Sequence, residues 1–128
     1  MTDAKPEIQL IADLVVRRAD GAVLLVRYDP DDERWWLPGH ELSPYQHPDE
    51  AAKAALDGLP GLRAKPPALS HVESFRGRRG WHVVFHYRVD ADGDPTGDLP
   101  AAWHPAGALP KTMHGTWERD AVRRVLGG

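Results

Sequence analysis

Two apolar runs separated by a turn open the chain. The first extends from Ile8 to Arg17 and the second from Ala22 to Tyr28; both are rich in β-branched and aliphatic residues, and Ala19-Asp20-Gly21 between them has turn chemistry. The pattern predicts a β-hairpin. An acidic loop follows, after which Trp35-Trp36-Leu37 begins a short extended segment that ends at Pro38-Gly39.

Helical patterns occur in the middle and at the end of the chain. The first predicted helix runs from about Pro48 to Leu59, because proline suits a first helical turn and the acidic Asp49 and Glu50 lie beside the positive end of the helix dipole. The second runs from Thr116 to Leu126. Its apolar residues recur at helical spacing and are Trp117, Ala121, Val122 and Val125. We expect this helix to cover the sheet.

Strands are predicted between the two helices. Ala68 to Phe75 leads through a basic turn to Trp81–Val89, which alternates strictly, and Ala101 to His104 forms one more short strand after a loop rich in Asp, Gly and Pro. The face that we expect to be the core carries Trp81, Val83, Phe85, Tyr87 and Val89. The opposite face carries His82, Val84, His86 and Arg88.

The composition limits the number of domains and the classes of function that this chain can have. The 128 residues predict a single α/β (α+β) domain spanning 1–128, with a mixed sheet between helices and a flexible segment at 1–7. A net charge of −3 lacks the basic excess that nucleic-acid binding needs. The absence of cysteine excludes disulfides and thiol chemistry, and no signal peptide or long apolar run is present. We therefore expect a cytoplasmic protein without membrane contact.

The order of these elements resembles that of the Nudix hydrolases along almost the whole chain. Trp35-Trp36-Leu37-Pro38-Gly39 matches the family's W-x-x-P-G segment, and Pro48-Asp49-Glu50-Ala51-Ala52 matches the start of its helix. The family's box, G-x5-E-x7-R-E-U-x-E-E-x-G-U, then fits without a gap when its last glycine is Gly61 and the next apolar residue is Leu62. The resemblance implies the Nudix fold, bound magnesium and hydrolysis of diphosphate-linked substrates.

In that register the acidic positions of the box are replaced. Its opening glycine is His40 and its first glutamate is Gln46; the Arg-Glu pair and the paired glutamates correspond to Ala54, Ala55, Gly58 and Leu59. Magnesium needs hard oxygen ligands, which alanine, glycine and leucine side chains lack. Asp57 is one residue out of phase, about a quarter of a helical turn or more away. We therefore predict no magnesium at this helix and no other cofactor.

Residues around the expected cleft are the remaining catalytic candidates. Gln46 keeps the shape of the lost glutamate and can hold a water or an amide, but it cannot act as a general base. His40, Glu41 and His47 flank the loop where family members hold substrate and metal, and His with Glu can supply a metal site or an acid–base pair near neutral pH. The alternative is that all of them are surface loop residues.

Further residues are candidates for ligand binding. His71 and Glu73 share a strand face, so His71, His82 and His86 can form a cluster if the faces coincide, although His82 and His86 lie about 13 Å apart along their strand. The basic turn can clamp a phosphate or serve solubility alone. Trp35 or Trp36 can line a cleft, although most tryptophans in a small domain are core residues. The predicted ligand-binding residues are Trp35, Trp36, Glu73, Arg76, Arg78, His82 and His86.

Three functional hypotheses follow from the preserved order of elements and the altered box. The leading one is a Nudix-like protein that has lost the standard catalytic apparatus and keeps the cleft for a small-molecule ligand. The second is an enzyme that runs different chemistry in the same cleft through His40, Glu41 or His47. The third is a structural or partner-binding domain, favoured if its own tryptophans fill the cleft. The protein is expected to be a monomer or a homodimer.

Overall fold

The computed structural model describes residues 7–29, 31–77, 80–111, 113 and 116–126, and only the backbone of 116–118. Residues 1–6 of the predicted flexible segment 1–7, Arg78 and the Trp117 side chain thus lie outside the described part. The elements are β1 (Ile8–Arg17), β2 (Ala22–Val26), β3 (Gly39–Glu41), α1 (Pro48–Asp57), β4 (Arg63–Ala64), β5 (Ala68–Gly77), β6 (Gly80–Asp92), β7 (Ala101–Pro105) and α2 (Thr116–Val125). None of the helices described is long and apolar enough to cross a membrane.

One mixed sheet runs through the molecule, with β1 and β6 at its centre. These two strands pair in parallel along the whole of β1, from Ile8 opposite Trp81 to Arg17 opposite Asp90. The other edge of β1 pairs antiparallel with β3 and then with β2, and β2 continues to β7. The far edge of β6 carries β5 and β4. The predicted hairpin is confirmed, but β1 and β2 meet only near Arg17 and Val23, because β3 occupies the rest of that edge.

A helix packs on each face of the sheet, as the patterning predicts. On one face, which we call the α1 side, Ala12, Leu14 and Val16 of β1 share a core with Ala51, Ala52, Ala55 and Leu59. On the other, the α2 side, Val15, Val23 and Leu25 share a core with Ala121, Val122 and Val125. Successive residues of β1 therefore alternate between two cores, which explains why its sequence is almost continuously apolar.

The first helix is shorter than predicted. It begins at Pro48, where His47 caps the helix by accepting a hydrogen bond from the Asp49 N–H at 3.0 Å. It ends at Asp57 rather than Leu59, because the Gly58 N–H closes the last turn on the Ala54 carbonyl at 3.2 Å and the following proline cannot continue the helix.

The assignment of only one face of β6 to the core was wrong. Val84 and His86, placed on the opposite face by the alternation, are both 0% exposed, because α2 covers that face. Trp81, placed on the core face, is 44% exposed, because the core beneath α1 takes in β6 only from Phe85 onward. Burial on both faces is thus set by the two helices rather than by the alternation within the strand.

Candidate functional site

The helix that the resemblance aligns with the Nudix box packs against the sheet. Ala55 is 8% exposed and Leu59 is 3% exposed, and both belong to the core on the α1 side. Gly58 between them caps the helix. Ala55, Gly58 and Leu59, which the resemblance aligns with acidic positions of the box, therefore have structural roles in this chain.

The loop before this helix is held by local hydrogen bonds. Gln46 accepts a bond from the Ser43 N–H at 2.9 Å, which closes a turn, and His47 caps the helix. His40 and Glu41 are exposed neighbours on β3, where His40 is the register partner of Ala12 and Glu41 that of Ile11. Adjacent strand residues point to opposite faces, so His40 lies on the α1 side and Glu41 on the α2 side.

These donors do not fit a magnesium ion. The box helix offers no carboxylate at the positions where the resemblance implies ligands, and the loop residues face in different directions. Among the residues that the structure describes, no group of three or more His, Asp or Glu side chains is placed to hold a metal. The donor set thus disagrees with the cofactor that the resemblance implies.

The α2 side of the sheet gathers polar residues from four strands. Asp13 on β1 is flanked in register by Gly39 on β3 and His86 on β6, and His86 is paired in turn with His71 on β5. The next row contains Glu41 and Glu73 at its two ends. We call this set the polar strip; it comprises Asp13, Glu41, His71, Glu73 and His86.

Direct contacts connect the β5 and β6 part of the polar strip. The rings of His71 and His86 stack with centroids 4.6 Å apart and planes 22° from parallel. His71 Nε2 lies 3.4 Å from Glu73 Oε1, and Glu73 also forms an ion pair with Arg124 of α2. The polar strip is therefore tied to the helix that covers this face.

Burial shifts the ionisation of the strip toward neutral forms. It raises the pKa of Asp13, 5% exposed, to about 7. Burial and the neighbouring His71 lower the pKa of His86 to about 4, and burial with the nearby Arg124 lowers the pKa of His71. At neutral pH both imidazoles are uncharged and Asp13 is divided between its acid and its carboxylate form. Asp13, His71 and His86 thus present hydrogen-bonding groups with little fixed charge.

The carboxylate of Asp13 was missed by sequence reasoning. It lies in an apolar strand between Ala12 and Leu14, and a single charged residue in such a run is the signal that marks it. Gly39 makes its position possible, since a Cβ on that glycine would collide with the Asp13 side chain. The absence of a side chain at the end of the Trp-Leu-Pro-Gly segment therefore makes room for a buried acid.

The other predicted ligand-binding residues are distributed over both faces. His82 lies on the α2 side but stacks on Phe75, with centroids 5.4 Å apart, so the structure brings together a pair of histidines, His71 and His86, rather than a cluster of three. Arg76 is exposed and is the register partner of Trp81 on the α1 side.

The adjacent tryptophans face opposite ways. Trp35 packs in the core of the α2 side, with the His104 ring 4.8 Å away and the Arg27 guanidinium 5.8 Å from its centroid. Trp36 packs on the α1 side, 5.9 Å from the Tyr28 ring and 5.7 Å from the Arg34 guanidinium. Both are half-buried, so neither is wholly part of the core.

Solved structures of Nudix proteins are similar to this chain. A MutT Nudix hydrolase from Burkholderia pseudomallei has a TM-score of 0.75 and 19% identity, over 93% of this chain and 98% of that one. A Nudix hydrolase from Nitrosomonas europaea also has a TM-score of 0.75, with 16% identity over 95% and 90% of the two chains. A MutT protein from Bacillus halodurans has a TM-score of 0.74 and 16% identity, over 94% and 83%. No family model and no curated protein matches the sequence.

The architecture and these similarities define an α+β protein with a mixed sheet between two helices. More particularly, the chain has the Nudix fold, as its sequence predicts. Identities below 20% establish the fold and leave the chemistry to be argued from this chain's own side chains.

Proposed function

We propose that this protein is a Nudix-fold small-ligand-binding protein that lacks standard magnesium-dependent hydrolysis of nucleoside diphosphate derivatives. The observation that carries the proposal is the packing of Ala55 and Leu59 into the core, with Gly58 capping the helix between them. A metal that activates water needs oxygen ligands at a fixed geometry, and this helix and the turn after it place methyl and isobutyl groups at the corresponding positions.

The ligand site that we propose is the polar strip on the α2 side, approached through the exposed Glu41 and the half-buried His71 and Glu73, with Asp13 and His86 buried behind them. It combines Asp13 with the neutral imidazoles of His71 and His86, and its outer members Glu41 and Glu73 supply carboxylates. At neutral pH the carboxylates only accept hydrogen bonds, and each neutral imidazole has one accepting and one donating nitrogen. They favour a small polar ligand that donates hydrogen bonds through amino or imino groups over a free phosphate.

Hydrolysis is tested by measuring phosphate and nucleotide release from ADP-ribose, nucleoside triphosphates and dinucleoside polyphosphates with magnesium. We expect no turnover above background, because the metal and the general base each contribute several orders of magnitude in rate. A His40→Ala/Glu41→Ala double variant is assayed in parallel. Turnover of about one per second that this variant loses would overturn the proposal and favour an enzyme that uses those two residues.

Metal binding provides an independent test. We expect millimolar manganese to give no relaxation enhancement from a site on α1, since the helix holds no cluster of carboxylates in the box register. A manganese ion located at α1, for example by broadening of the amide signals of Ala54 and Ala55, would contradict the proposal.

Ligand binding at the polar strip is tested by screening small amino-substituted heterocycles and free nucleobases by protein-observed NMR. We expect chemical-shift changes to centre on Asp13 and His86, and the Asp13→Asn variant to weaken binding at least tenfold. The Asp57→Asn variant is the matched control, because Asp57 lies at the end of α1. Equal effects of both substitutions, or shifts confined to α1, would place the site elsewhere.

A further inference from the structure

A concave region lies where β1, β4 and β6 end. It is a cavity of about 320 Å³, lined by Arg17, Arg63, Lys65, Asp90 and Asp92 together with two alanines. We call it the basic pocket. None of these residues belongs to the box segment or to the polar strip, so the basic pocket is separate from the proposed ligand site.

Strand pairing holds the charged residues of the basic pocket in place. Arg17 at the end of β1 is the register partner of Asp90 on β6, and Arg63 on β4 is the partner of Asp92. The Lys65 N–H donates to the Asp90 carbonyl at 2.9 Å, which fixes the backbone beside the pocket. Three cationic side chains from two sides of β6 therefore line one cavity.

The charges in and around the basic pocket are only partly balanced. Arg63 Nε lies 2.7 Å from Asp92, and Asp90 is approached at 3.4 Å by Arg88, which lies outside the pocket. In the described part of the chain, neither Arg17 nor Lys65 has a carboxylate within 4.0 Å. Two cations thus face the cavity while the nearby carboxylates are engaged by other arginines.

We propose that the basic pocket binds a compact anion of the phosphate class, with Arg17 and Lys65 as its main contacts. A guanidinium donates paired hydrogen bonds to phosphate oxygens, and an ammonium adds a mobile point charge. The volume is at the lower end for small-molecule sites, so it suits pyrophosphate or a small phosphate ester. The two aspartates keep the net charge modest and disfavour highly charged polymers such as nucleic acid.

The test is a calorimetric titration of the full chain with inorganic pyrophosphate at low salt, with citrate as a carboxylate of comparable charge. We expect saturable binding of pyrophosphate, weakened at least tenfold by the Arg17→Gln/Lys65→Gln double variant and at least threefold by Lys65→Gln alone. The single variant is informative even if the double variant folds poorly, because Lys65 is exposed. Citrate binding as tight as that of pyrophosphate would overturn the assignment to phosphate.

A substitution outside the basic pocket serves as the control for the change in net charge. Arg123→Gln removes the same charge from an exposed position on α2 and should change pyrophosphate binding less than twofold. Conversely, Asp90→Asn should tighten binding, because it removes a negative charge from the pocket wall, whereas Asp29→Asn should not. No saturable binding to the wild type, or equal weakening by Arg123→Gln, would refute the proposal.

Discussion

The Tyr87 hydroxyl donates a hydrogen bond of 2.5 Å to the Asp49 carboxylate, joining the central strand β6 to the first turn of α1. The Tyr87 side chain is 1% exposed, and burial, followed by the bond to Asp49, raises its pKa above the ordinary 10.0. This bond fixes the start of the helix against the sheet at a point where the chain has just left an exposed loop.

Tyr87→Phe should therefore lower the free energy of unfolding by about 1–2 kcal/mol, because it removes a hydrogen bond to a charged group. Urea denaturation measures the change. Absorbance titration at alkaline pH should also lose its latest tyrosine transition in this variant. Tyr45→Phe is the control, since Tyr45 is fully exposed and should leave stability unchanged. If Tyr45→Phe lost as much stability as Tyr87→Phe, a specific role for the bond to Asp49 would be contradicted.

Leu59, at the position of the last box glutamate, should behave as an ordinary core residue. Leu59→Ala is expected to lower the free energy of unfolding by about 2–4 kcal/mol, since it leaves a cavity beneath α1. Leu69→Ala removes the same atoms from a side chain that is 53% exposed and should cost less than about 0.5 kcal/mol. Chemical denaturation of both variants makes the comparison. Similar losses of unfolding free energy would show that Leu59 is not packed in the core beneath α1.

Gly39 should tolerate no side chain. A Cβ there would collide with the Asp13 carboxylate and lie 3.1 Å from the Ala12 carbonyl, so Gly39→Ala is expected to destabilise the protein by about 1–3 kcal/mol. Gly107→Ala has open space around the new methyl group and should be nearly neutral. Thermal melting of the two variants provides the test. A Gly39→Ala variant as stable as the wild type would mean that Asp13 is free to move away.

Asp13 and His86 should give opposite pH dependences of stability. Burial raises the pKa of Asp13 from 3.8 to about 7, so its contribution is present below pH 3.8 and is lost as the pH rises through 7. Burial and His71 lower the pKa of His86 from 6.5 to about 4, so its contribution is present above pH 6.5 and is lost as the pH falls through 4. Between pH 4 and 6.5 the two effects oppose each other.

Single substitutions separate the two effects. The free energy of unfolding of Asp13→Asn should rise from pH 4 to 6.5, and that of His86→Gln should fall from pH 4 to 7. Each tenfold difference between folded and unfolded acid constants is worth about 1.4 kcal/mol, so each change is of the order of a few kcal/mol. Urea denaturation across this pH range measures the free energy of unfolding of both variants. Parallel pH profiles for the two variants would contradict the opposite pKa shifts of Asp13 and His86.

Much of the fold could be predicted because its signals are local. Periodicity, turn residues and caps place the hairpin, both helices and β5, β6 and β7 within a few residues, whereas the short strands β3 and β4 were not predicted. The end of α1 was misplaced because the pattern continues apolar to Leu59, whereas the backbone bond that closes the helix is made by Gly58. The predicted box replacements also come from the sequence, since they depend on residue identity at a fixed spacing.

The sequence by itself determined where most of the elements lie and the resemblance to the Nudix fold. Only the tertiary structure decided that β1 pairs in parallel with a strand more than 70 residues later, and hence that Asp13 lies beside His86. It likewise decided that His40 and Glu41 face opposite sides and that Arg17 and Lys65 share a cavity. The physical reason is that periodicity reports the burial of one segment, whereas the register between distant strands sets which side chains become neighbours.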